Sequence, residues 1–516
     1  MESQKLDHHF VLIPFMAPGR LLPMVDIAIL LARQNKVKVT FATTPLNAVR
    51  VQATIDRGIP QSGNNSSLQI QLFQFPNAQS GVPDGCESLD TLPSKDLLTK
   101  FYEAMGMLQK PLEQLFEKLS PTPTCIISDK NILSVADIAK KLQVPRITFD
   151  GTSCFNMLCT HCLRTSKVYE NVSNDSEPFI VPGLPNEIAF KRYQLHTYII
   201  NNSKQMGISG FREKIWEFEE AAYGVIVNSF EELEDEYVKE YRRVTGRKVW
   251  CVGPVSLSDK NFMDEAQRGN TDSNQEEEEE EGQYLMKWLD SWPARSVIYV
   301  CLGSLNNVTP GQLMELGLGL EATGRPFIWV LRDSNRREEM EKSLKEDGLE
   351  ERVKARGLIV RGWVPQVLIL SHKAIGSFLT HCGWNSTLEG ICSGVPLITF
   401  PLFSDQFYNE KVIVQVLEVG VRLGAESAMN FWEEEKYGVQ VKREKVTEAI
   451  EKVMSEEDEE SERIRERARN YAEKAKKAME KGGSSSLNMS LFIEDIEQVM
   501  RLKMNEEVEA QQNPNA

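Results

Sequence analysis

Short apolar runs and stretches of helical period alternate along the first half of the chain. Residues 10–15 are an apolar run of the length typical of a buried strand, and residues 37–43 are predicted as the next strand. Between them Leu22, Val25 and Ile29 recur at spacings of three and four, which marks one face of a helix. This alternation predicts a parallel, doubly wound α/β sheet. Such a sheet binds its ligands beyond the carboxyl ends of its strands.

The same alternation continues to about residue 255 and restarts after an acidic segment. Further strands are predicted at residues 70–75, 125–128, 146–149, 224–228, 249–253, 297–302, 327–331, 358–360 and 375–380. Helices are predicted within residues 97–119, 310–322 and 409–417, and residues 165–215 are expected to be irregular. Because residues 257–282 consist mainly of Asp, Asn, Gln and Glu, they are typical of a linker. We therefore predict two Rossmann-like domains, residues 1–255 and 284–480, joined by an acidic linker, 256–283.

The C-terminal part is strongly charged. Residues 442–480 carry alternating charges and are expected to form solvent-facing helices. After a glycine-serine break, the segment 481–505 has Leu491, Ile493 and Ile496 on one side of a final helix, which therefore needs a surface on which to dock. We expect the tail, 506–516, to be disordered.

Residues 363–406 hold the densest chemistry in the chain. The predicted strand 375–380 ends in His381-Cys382-Gly383, and apolar residues then recur at helical spacing. A strand, a tight glycine turn and a helix N-terminus present backbone N–H groups and a helix dipole to an anion. Asn385 and Ser386 add side-chain donors, and His381 lies at the edge. This arrangement suits a diphosphate without requiring a metal. Ser304, which follows a strand through a glycine turn, is a further candidate phosphate contact.

This block resembles the signature box of plant small-molecule UDP-glycosyltransferases, from Trp363 to Gln406 and without an insertion. A single tryptophan such as Trp363 usually belongs to the core, a single histidine such as His381 is usually a hydrogen-bonded residue at a strand end, and a single glutamate such as Glu389 usually lies on a solvated helix face. Because all three occur in one ordered block, a nucleotide-sugar site is favoured. The resemblance implies a GT-B fold, with the acceptor in the first domain, UDP-glucose in the second and the last helix returning to the first. It also implies uracil stacking for Trp363, uracil edge contact for the Val364 backbone, ribose contacts for Gln366 and Glu389, diphosphate contacts for His381, Asn385 and Ser386, and sugar contacts for Trp384, Asp405 and Gln406.

Composition narrows the remaining function classes. The net charge of −16, without a basic patch interleaved with aromatics, argues against nucleic acid and anionic membranes. Nine scattered cysteines indicate a reducing compartment. A signal peptide and a membrane-spanning window are not evident, so we expect a cytoplasmic protein. We also expect a monomer that binds a UDP-sugar and an apolar small molecule.

The catalytic position departs from the resembled family. Most members take the acceptor proton with a histidine in the first loop, backed by an aspartate at the end of a later strand. Asp129 matches that aspartate, but Arg20 stands where the family usually has histidine. Arginine has no acceptor lone pair and stays protonated. His8 and His9 lie at the opposite end of the predicted strand, and nothing in the sequence places His161 or His196 near the site.

Three accounts of this position remain open. Arg20 could hold an acceptor that is already a carboxylate, which would give a glucose ester. Asp129 could itself take the proton from an alcohol or phenol. Alternatively, Arg20 could pair with Asp129 and leave a weakly active or silent sugar-nucleotide binder, since losing a general base costs on the order of 10²–10⁴-fold.

The second account is preferred slightly, because the resemblance is greatest to members that glucosylate triterpenoids, steroids and flavonoids on hydroxyls. The sequence therefore predicts an inverting UDP-glucose-dependent transferase that acts on a bulky apolar plant metabolite. A dehydrogenase is the weaker rival, because the dinucleotide fingerprint G-x-G-x-x-G is missing after residues 10–15.

Overall fold

A computed structural model describes most of the chain. The described residues are 8–59, 67–195, 199, 211–258, 275–303, 308–331, 337–430 and 433–512. Ser304, His196 and most of the predicted linker lie outside this part of the chain.

The first half is built on a parallel sheet. Its strands are β1 (His8–Ile13), β2 (Val37–Thr43), β3 (Leu68–Leu72), β4 (Cys125–Asp129), β5 (Arg146–Phe149), β8 (Gly224–Val227) and β9 (Lys248–Cys251). Two further strands, β6 (Pro178–Ile180) and β7 (Ala189–Lys191), form a separate antiparallel hairpin. Among the described residues the order is β3-β2-β1-β4-β5-β8-β9, so β1 and β4 are neighbours at its centre. The central strands are buried throughout because helices cover both faces.

Helices connect these strands. They are α1 (Pro18–Ala32), α2 (Pro45–Gly58), α3 (Asn77–Ser80), α4 (Leu98–Gly106), α5 (Gln109–Phe116), α6 (Val135–Leu142), α7 (Cys154–Ser166), α8 (Phe211–Glu220) and α9 (Glu231–Thr245), with 3-10 turns at Leu89–Thr91, Lys95–Leu97, Val168–Glu170, Arg192–Gln194 and Val255–Leu257. The stretch predicted as one helical pattern at 97–119 is broken into α4 and α5. Gly106 ends the first helix and Pro111 falls in the first turn of the second, where proline is tolerated.

The second half repeats the architecture. Its strands are β10 (Val297–Cys301), β11 (Phe327–Leu331), β12 (Gly357–Arg361), β13 (Ile375–Thr380), β14 (Leu397–Thr399) and β15 (Gly420–Arg422). Within the described chain all six are parallel, in the order β12-β11-β10-β13-β14-β15. The predicted pair of doubly wound domains is thus confirmed. β14 and β15 were not predicted, because runs of three residues are too short to show a period.

The helices of this half begin inside the expected linker. They are α10 (Gln275–Asp290), α11 (Pro310–Ala322), α12 (Arg337–Asp347), α13 (Leu349–Val353), α14 (Gln366–Ser371), α15 (Trp384–Cys392), α16 (Gln406–Lys411), α17 (Arg443–Met454), α18 (Glu459–Met479) and α19 (Ser484–Gln512), with a π-helical turn at Val412–Val416 and a 3-10 turn at Glu434–Lys436. In the described chain, no helix is long and apolar enough to cross a membrane.

The charged segment 442–480 is not simply solvent-facing. α17 buries Val446, Ile450 and Val453, while α18 buries a stripe of small residues that includes Ala468 and Ala475. Alternating charges therefore cover only the outer side of these helices. Alanine is apolar and an excellent helix former, so it can form the buried face of a helix. A pattern of alternating charges does not reveal such a face.

The last helix crosses to the first domain. Phe492 is fully buried, with its ring centroid 5.5 Å from that of Phe10 and 5.1 Å from that of Trp250. The Ser485 hydroxyl donates to the Gly253 carbonyl, and Lys503 Nζ donates to Leu142 O at 3.2 Å. α19 continues to Gln512, into the segment expected to be disordered.

Replacing Phe492 should therefore loosen α19 from the first domain. We expect Phe492→Ala to destabilise the protein by about 3–5 kcal/mol, the usual cost of deleting a buried phenylalanine. Leu491, which the sequence pattern placed on the docking side, is instead 54% exposed. Leu491→Ala on the same helix is therefore the matched control and should change stability by less than about 0.5 kcal/mol. Equal shifts in thermal melting for the two variants would contradict this docking.

Candidate active site

His381 lies at the centre of the second domain's strand-to-helix turn. β13 ends at Thr380, Cys382 adopts a positive φ of 64°, and Gly383 caps α15. A Cβ added to Gly303 or Gly383 would lie 2.5 or 2.3 Å from the His381 imidazole. The backbone at two glycines, Gly303 and Gly383, therefore packs directly against the imidazole, beside the N–H groups at the N-terminus of α15. This geometry matches the anion cradle expected from the sequence, and binding of a diphosphate there stays a prediction.

Gln366 links three elements beside this cradle. Tyr299 donates its hydroxyl to Gln366 Oε1 at 3.2 Å, and Gln366 Nε2 donates to Glu389 Oε2 at 2.8 Å and to Ser386 Oγ at 3.0 Å. The structure thus joins the residues expected at the ribose to one expected at the diphosphate. Carboxylate and amide groups held in this way can accept hydrogen bonds from vicinal hydroxyls.

Trp363 and Val364 lie on the loop between β12 and α14. Gly362 turns the chain there with a φ of 107°, Trp363 is half-buried and Val364 is buried. The loop places the indole at the edge of the domain that also carries Gln366. Uracil stacking by Trp363 and edge contact by Val364 remain proposals.

The loop at the end of the signature box is held by hydrogen bonds to the Gln406 side chain. Gln406 Oε1 accepts hydrogen bonds from the backbone N–H groups of Leu402 (2.7 Å) and Phe403 (3.0 Å). The side-chain amide oxygen of Gln406 therefore fixes the conformation of the preceding loop.

Asp405 is tied to the His381 turn through Asn409. Asn409 Nδ2 donates to Asp405 Oδ2 and to the Cys382 carbonyl, each at 2.9 Å. Burial raises the pKa of Asp405, and Arg20 of the first domain opposes that shift. Arg20 consequently lies within electrostatic range of the position where the sugar is expected.

Trp384 and Asn385 reach across to the first domain. Trp384 is 3% exposed and its indole N–H donates to the Asn228 carbonyl at 2.8 Å; Asn385 Nδ2 donates to the Gly19 carbonyl at 2.9 Å. The indole N–H is thus engaged in the domain interface, an arrangement that the sequence did not suggest. Gly19 immediately precedes Arg20, so the second contact brings the first loop against the predicted diphosphate site.

Arg20 lies in the first turn of α1, between two acidic side chains. Its Nη1 is 3.4 Å from Asp150 Oδ1 and 3.9 Å from Asp129 Oδ2. The Arg20 side chain is 23% exposed, whereas that of Asp129 is fully buried. The structure therefore brings the two predicted catalytic residues together and adds Asp150 to them.

Asp129 presents one oxygen toward Arg20. Its Oδ1 accepts from Asn131 N at 2.9 Å and from Asn131 Nδ2 at 2.7 Å, whereas Oδ2 accepts no hydrogen bond within the described chain. Burial raises the pKa of this carboxyl, and Arg20 and Asn131 partly counter the rise. The Oδ2 lone pairs can therefore receive a proton.

The histidines considered as substitutes lie elsewhere. His8 and His9 begin β1, at the end opposite Arg20, and His9 is bonded to the Pro121 carbonyl at 2.6 Å and to Thr40 at 2.9 Å. His161 lies on α7, where burial and nearby Arg164 lower its pKa.

Asp150 and Lys130 were not predicted as site residues. Lys130 Nζ lies 2.8 Å from each oxygen of the Asp150 carboxylate. Both residues immediately follow strands, β5 and β4, and so belong to the carboxyl edge where this fold binds ligands. That rule, applied to every strand end, would have found them.

Comparison with known proteins gives the class. A sequence model of the family described as UDP-glucoronosyl and UDP-glucosyl transferase matches residues 114–457. The chain therefore belongs to this family and is a UDP-glycosyltransferase enzyme of the plant type, which transfers a glycosyl group from a UDP-sugar. The resemblance inferred from the signature box is confirmed.

Individual relatives cover nearly the whole chain. UDP-glycosyltransferase 73C11 of Barbarea vulgaris is 47% identical over 495 residues, 95% of this chain and 97% of that protein. UDP-glycosyltransferase 73C3 of Arabidopsis thaliana is 46% identical over 496 residues, with 96% and 97% covered. The crystal structure of Glycyrrhiza uralensis UGT73P12 complexed with glycyrrhetinic acid 3-O-monoglucuronide superposes with a TM-score of 0.89 at 33% identity, over 99% of this chain and 100% of that one. The two sheets therefore form the GT-B fold.

A methyl group at residue 303 should damage the cradle. Gly303 has a φ of 80° and faces the His381 ring, so we expect Gly303→Ala to weaken UDP binding about tenfold or more, equivalent to about 1.4 kcal/mol. Gly324→Ala is the control, because Gly324 has a similar φ of 67° and nothing within 4 Å of an added Cβ. Calorimetric titration with UDP measures both variants, and equal affinities would show that the Gly303–His381 approach is unimportant.

Proposed function

We propose that this enzyme transfers glucose from UDP-glucose, with inversion, to a hydroxyl of a bulky and largely apolar plant metabolite such as a triterpenoid, steroid or flavonoid. Asp129 is the proposed base. The observation that carries the proposal is its buried Oδ2, which lies 3.9 Å from Arg20 Nη1 and takes no hydrogen bond in the described chain. The solved relative with glycyrrhetinic acid 3-O-monoglucuronide supports a triterpenoid acceptor.

The reaction is a single displacement. The acceptor oxygen forms a bond to the anomeric carbon, the bond from that carbon to the UDP oxygen breaks, and the acceptor proton passes to Asp129 Oδ2. Charge that develops on the diphosphate would be met by the α15 N-terminus with His381, Asn385 and Ser386, preorganised as such sites require. The uridine would be held by Trp363, the Val364 backbone, Gln366 and Glu389, and the sugar by Trp384, Asp405 and Gln406.

The charges around Arg20 favour an alcohol over a carboxylate acceptor. Its guanidinium already faces Asp150 and Asp129 and acts on Asp405. A carboxylate brought to Arg20 would add a fourth negative group to this cluster, and like charges at short range repel. A neutral hydroxyl avoids that repulsion and can donate to Asp129.

Removing the Asp129 carboxylate tests the proposed base. We expect Asp129→Asn to lower turnover with UDP-glucose and a hydroxyl acceptor by about 10²-fold or more, while UDP affinity stays unchanged. Burial raises the pKa of Asp129, and only its ionised form accepts a proton. As the pH is lowered, kcat/KM of the parent enzyme should therefore begin to fall at a pH higher than the usual pKa of an aspartate. Full activity of the variant would rule out Asp129 as the base.

Restoring an imidazole at residue 20 should speed the reaction. We expect Arg20→His to raise turnover on hydroxyl acceptors by about tenfold or more, because a neutral imidazole beside Asp129 is the better base. Arg20→Lys keeps the positive charge without a base and should give no gain. Unchanged or lower turnover of the histidine variant would mean that the site does not lack a base.

A further inference from the structure

We infer that Asp150 is a positioning residue that holds the Arg20 guanidinium away from Asp129 Oδ2 and so keeps that oxygen available for the acceptor proton. The inference rests on the proposed role of Asp129 as base. Its starting point is the asymmetry of the Arg20 contacts, since Nη1 lies 3.4 Å from Asp150 and 3.9 Å from Asp129. Only the first distance is within hydrogen-bonding range.

The chain next to Asp150 is shaped to hold the guanidinium. Gly151 has a φ of 70°, and a Cβ there would lie 2.5 Å from Arg20 Nη1 and 2.8 Å from Arg20 Cδ. The Arg20 side chain therefore lies directly on the bare Cα of residue 151. Glycine is needed here both for its backbone angle and for the space.

Lys130 fixes the other side of the Asp150 carboxylate. Its Nζ lies 2.8 Å from both oxygens, and the Asp150 side chain is 4% exposed. Burial alone would raise the pKa of Asp150, but Lys130 and Arg20 together lower it. Asp150 therefore remains ionised and anchored, which lets it hold a flexible arginine in one place.

Holding Arg20 matters because the alternative geometry disables the base. A guanidinium that closed on Asp129 Oδ2 would occupy the lone pairs that the acceptor hydroxyl needs, as in a full salt bridge. Asp150 competes for the same guanidinium nitrogen, Nη1, from 3.4 Å. The chain thus keeps an arginine beside its base while limiting their pairing.

A double-mutant cycle measures this action through Arg20. We expect Asp150→Asn to lower kcat/KM for a hydroxyl acceptor by about 10- to 100-fold, the range for a misplaced catalytic group, with UDP affinity unchanged. In the Arg20→Gln background the same change should have little effect, because the residue through which Asp150 acts is gone. Losses that multiply in the double variant, or a single variant as active as the parent, would overturn the inference.

The pH profile gives a second readout. Asp129 is faced by Arg20 from α1, Tyr102 from α4 and Asp150 from the end of β5. A closer Arg20 should move the acid limb of kcat/KM to lower pH in Asp150→Asn, and by less when Arg20 is already Gln. An equal displacement in both backgrounds would mean that Asp150 acts on Asp129 directly and would overturn the inference.

Asp495→Asn and Gly151→Ala distinguish loss of the Asp150 contact from loss of stability. Asp495→Asn removes another aspartate bonded to a lysine, Lys248, far from the cleft, and should leave kcat/KM unchanged. If Asp150→Asn melts at a much lower temperature than this control, Gly151→Ala replaces it, because its methyl group displaces Arg20 while the Asp150 charge stays. Its kcat/KM should fall, and the Arg20→Gln background should lessen the fall by removing the clash, while the strain of the positive φ at residue 151 stays. Full activity, or the same fall in both backgrounds, would overturn the inference. Undiminished activity of Asp129→Asn would instead refute the base assignment itself.

Discussion

The hydrogen bond from Asn385 Nδ2 to the Gly19 carbonyl sets the geometry of the cleft. It joins the first turn of α15, where the diphosphate is expected, to the loop that carries residue 20. The indole of Trp384 adds a second contact, to the Asn228 carbonyl. Because both contacts use backbone carbonyls, they do not depend on which side chain occupies position 20. The substitution of arginine there can thus change the chemistry without moving the donor site.

Buried charge is the second constraint. Asp129 and Asp150 lie beside one guanidinium, which also lowers the pKa of Asp405 against the effect of its burial, and Lys130 is paired with Asp150. Removing one partner from such a group is costly, since it leaves an uncompensated charge. Arg20 is therefore both a structural counter-ion and a neighbour of the proposed base. This double role explains how a residue that cannot accept a proton fits beside Asp129.

The strands and the signature box could be predicted from the sequence because their signals are local. The bounds of β2, β5, β11 and β13 match the structure residue for residue, since each is a short segment rich in β-branched or aromatic residues. The hairpin of β6 and β7 was expected to be irregular, and its Phe190 ring packs 5.0 Å from Tyr408 of the other domain. That contact depends on the placement of two domains, which no local pattern encodes.

The site was predicted least well where it depends on distant partners. Asp129 and Arg20 were identified from the resemblance to the family. Asp150 and Lys130 follow predicted strands and could have been listed as strand-end candidates, but their ion pair forms only because β4 and β5 lie side by side. The resemblance to the family implies a sugar contact for Trp384, and that contact stays a prediction. Its indole N–H donates to the carbonyl of Asn228, 156 residues away in the chain, a contact that no local pattern predicts.

Acceptor chemistry tests the central claim most directly. An alcohol and a carboxylic acid that share one apolar scaffold can be offered in turn with UDP-glucose, and the products identified by mass spectrometry and alkaline lability. We predict that the alcohol is glucosylated faster and gives an alkali-stable glucoside. Exclusive formation of an alkali-labile ester from the acid, or binding of UDP-glucose without any product, would contradict the account.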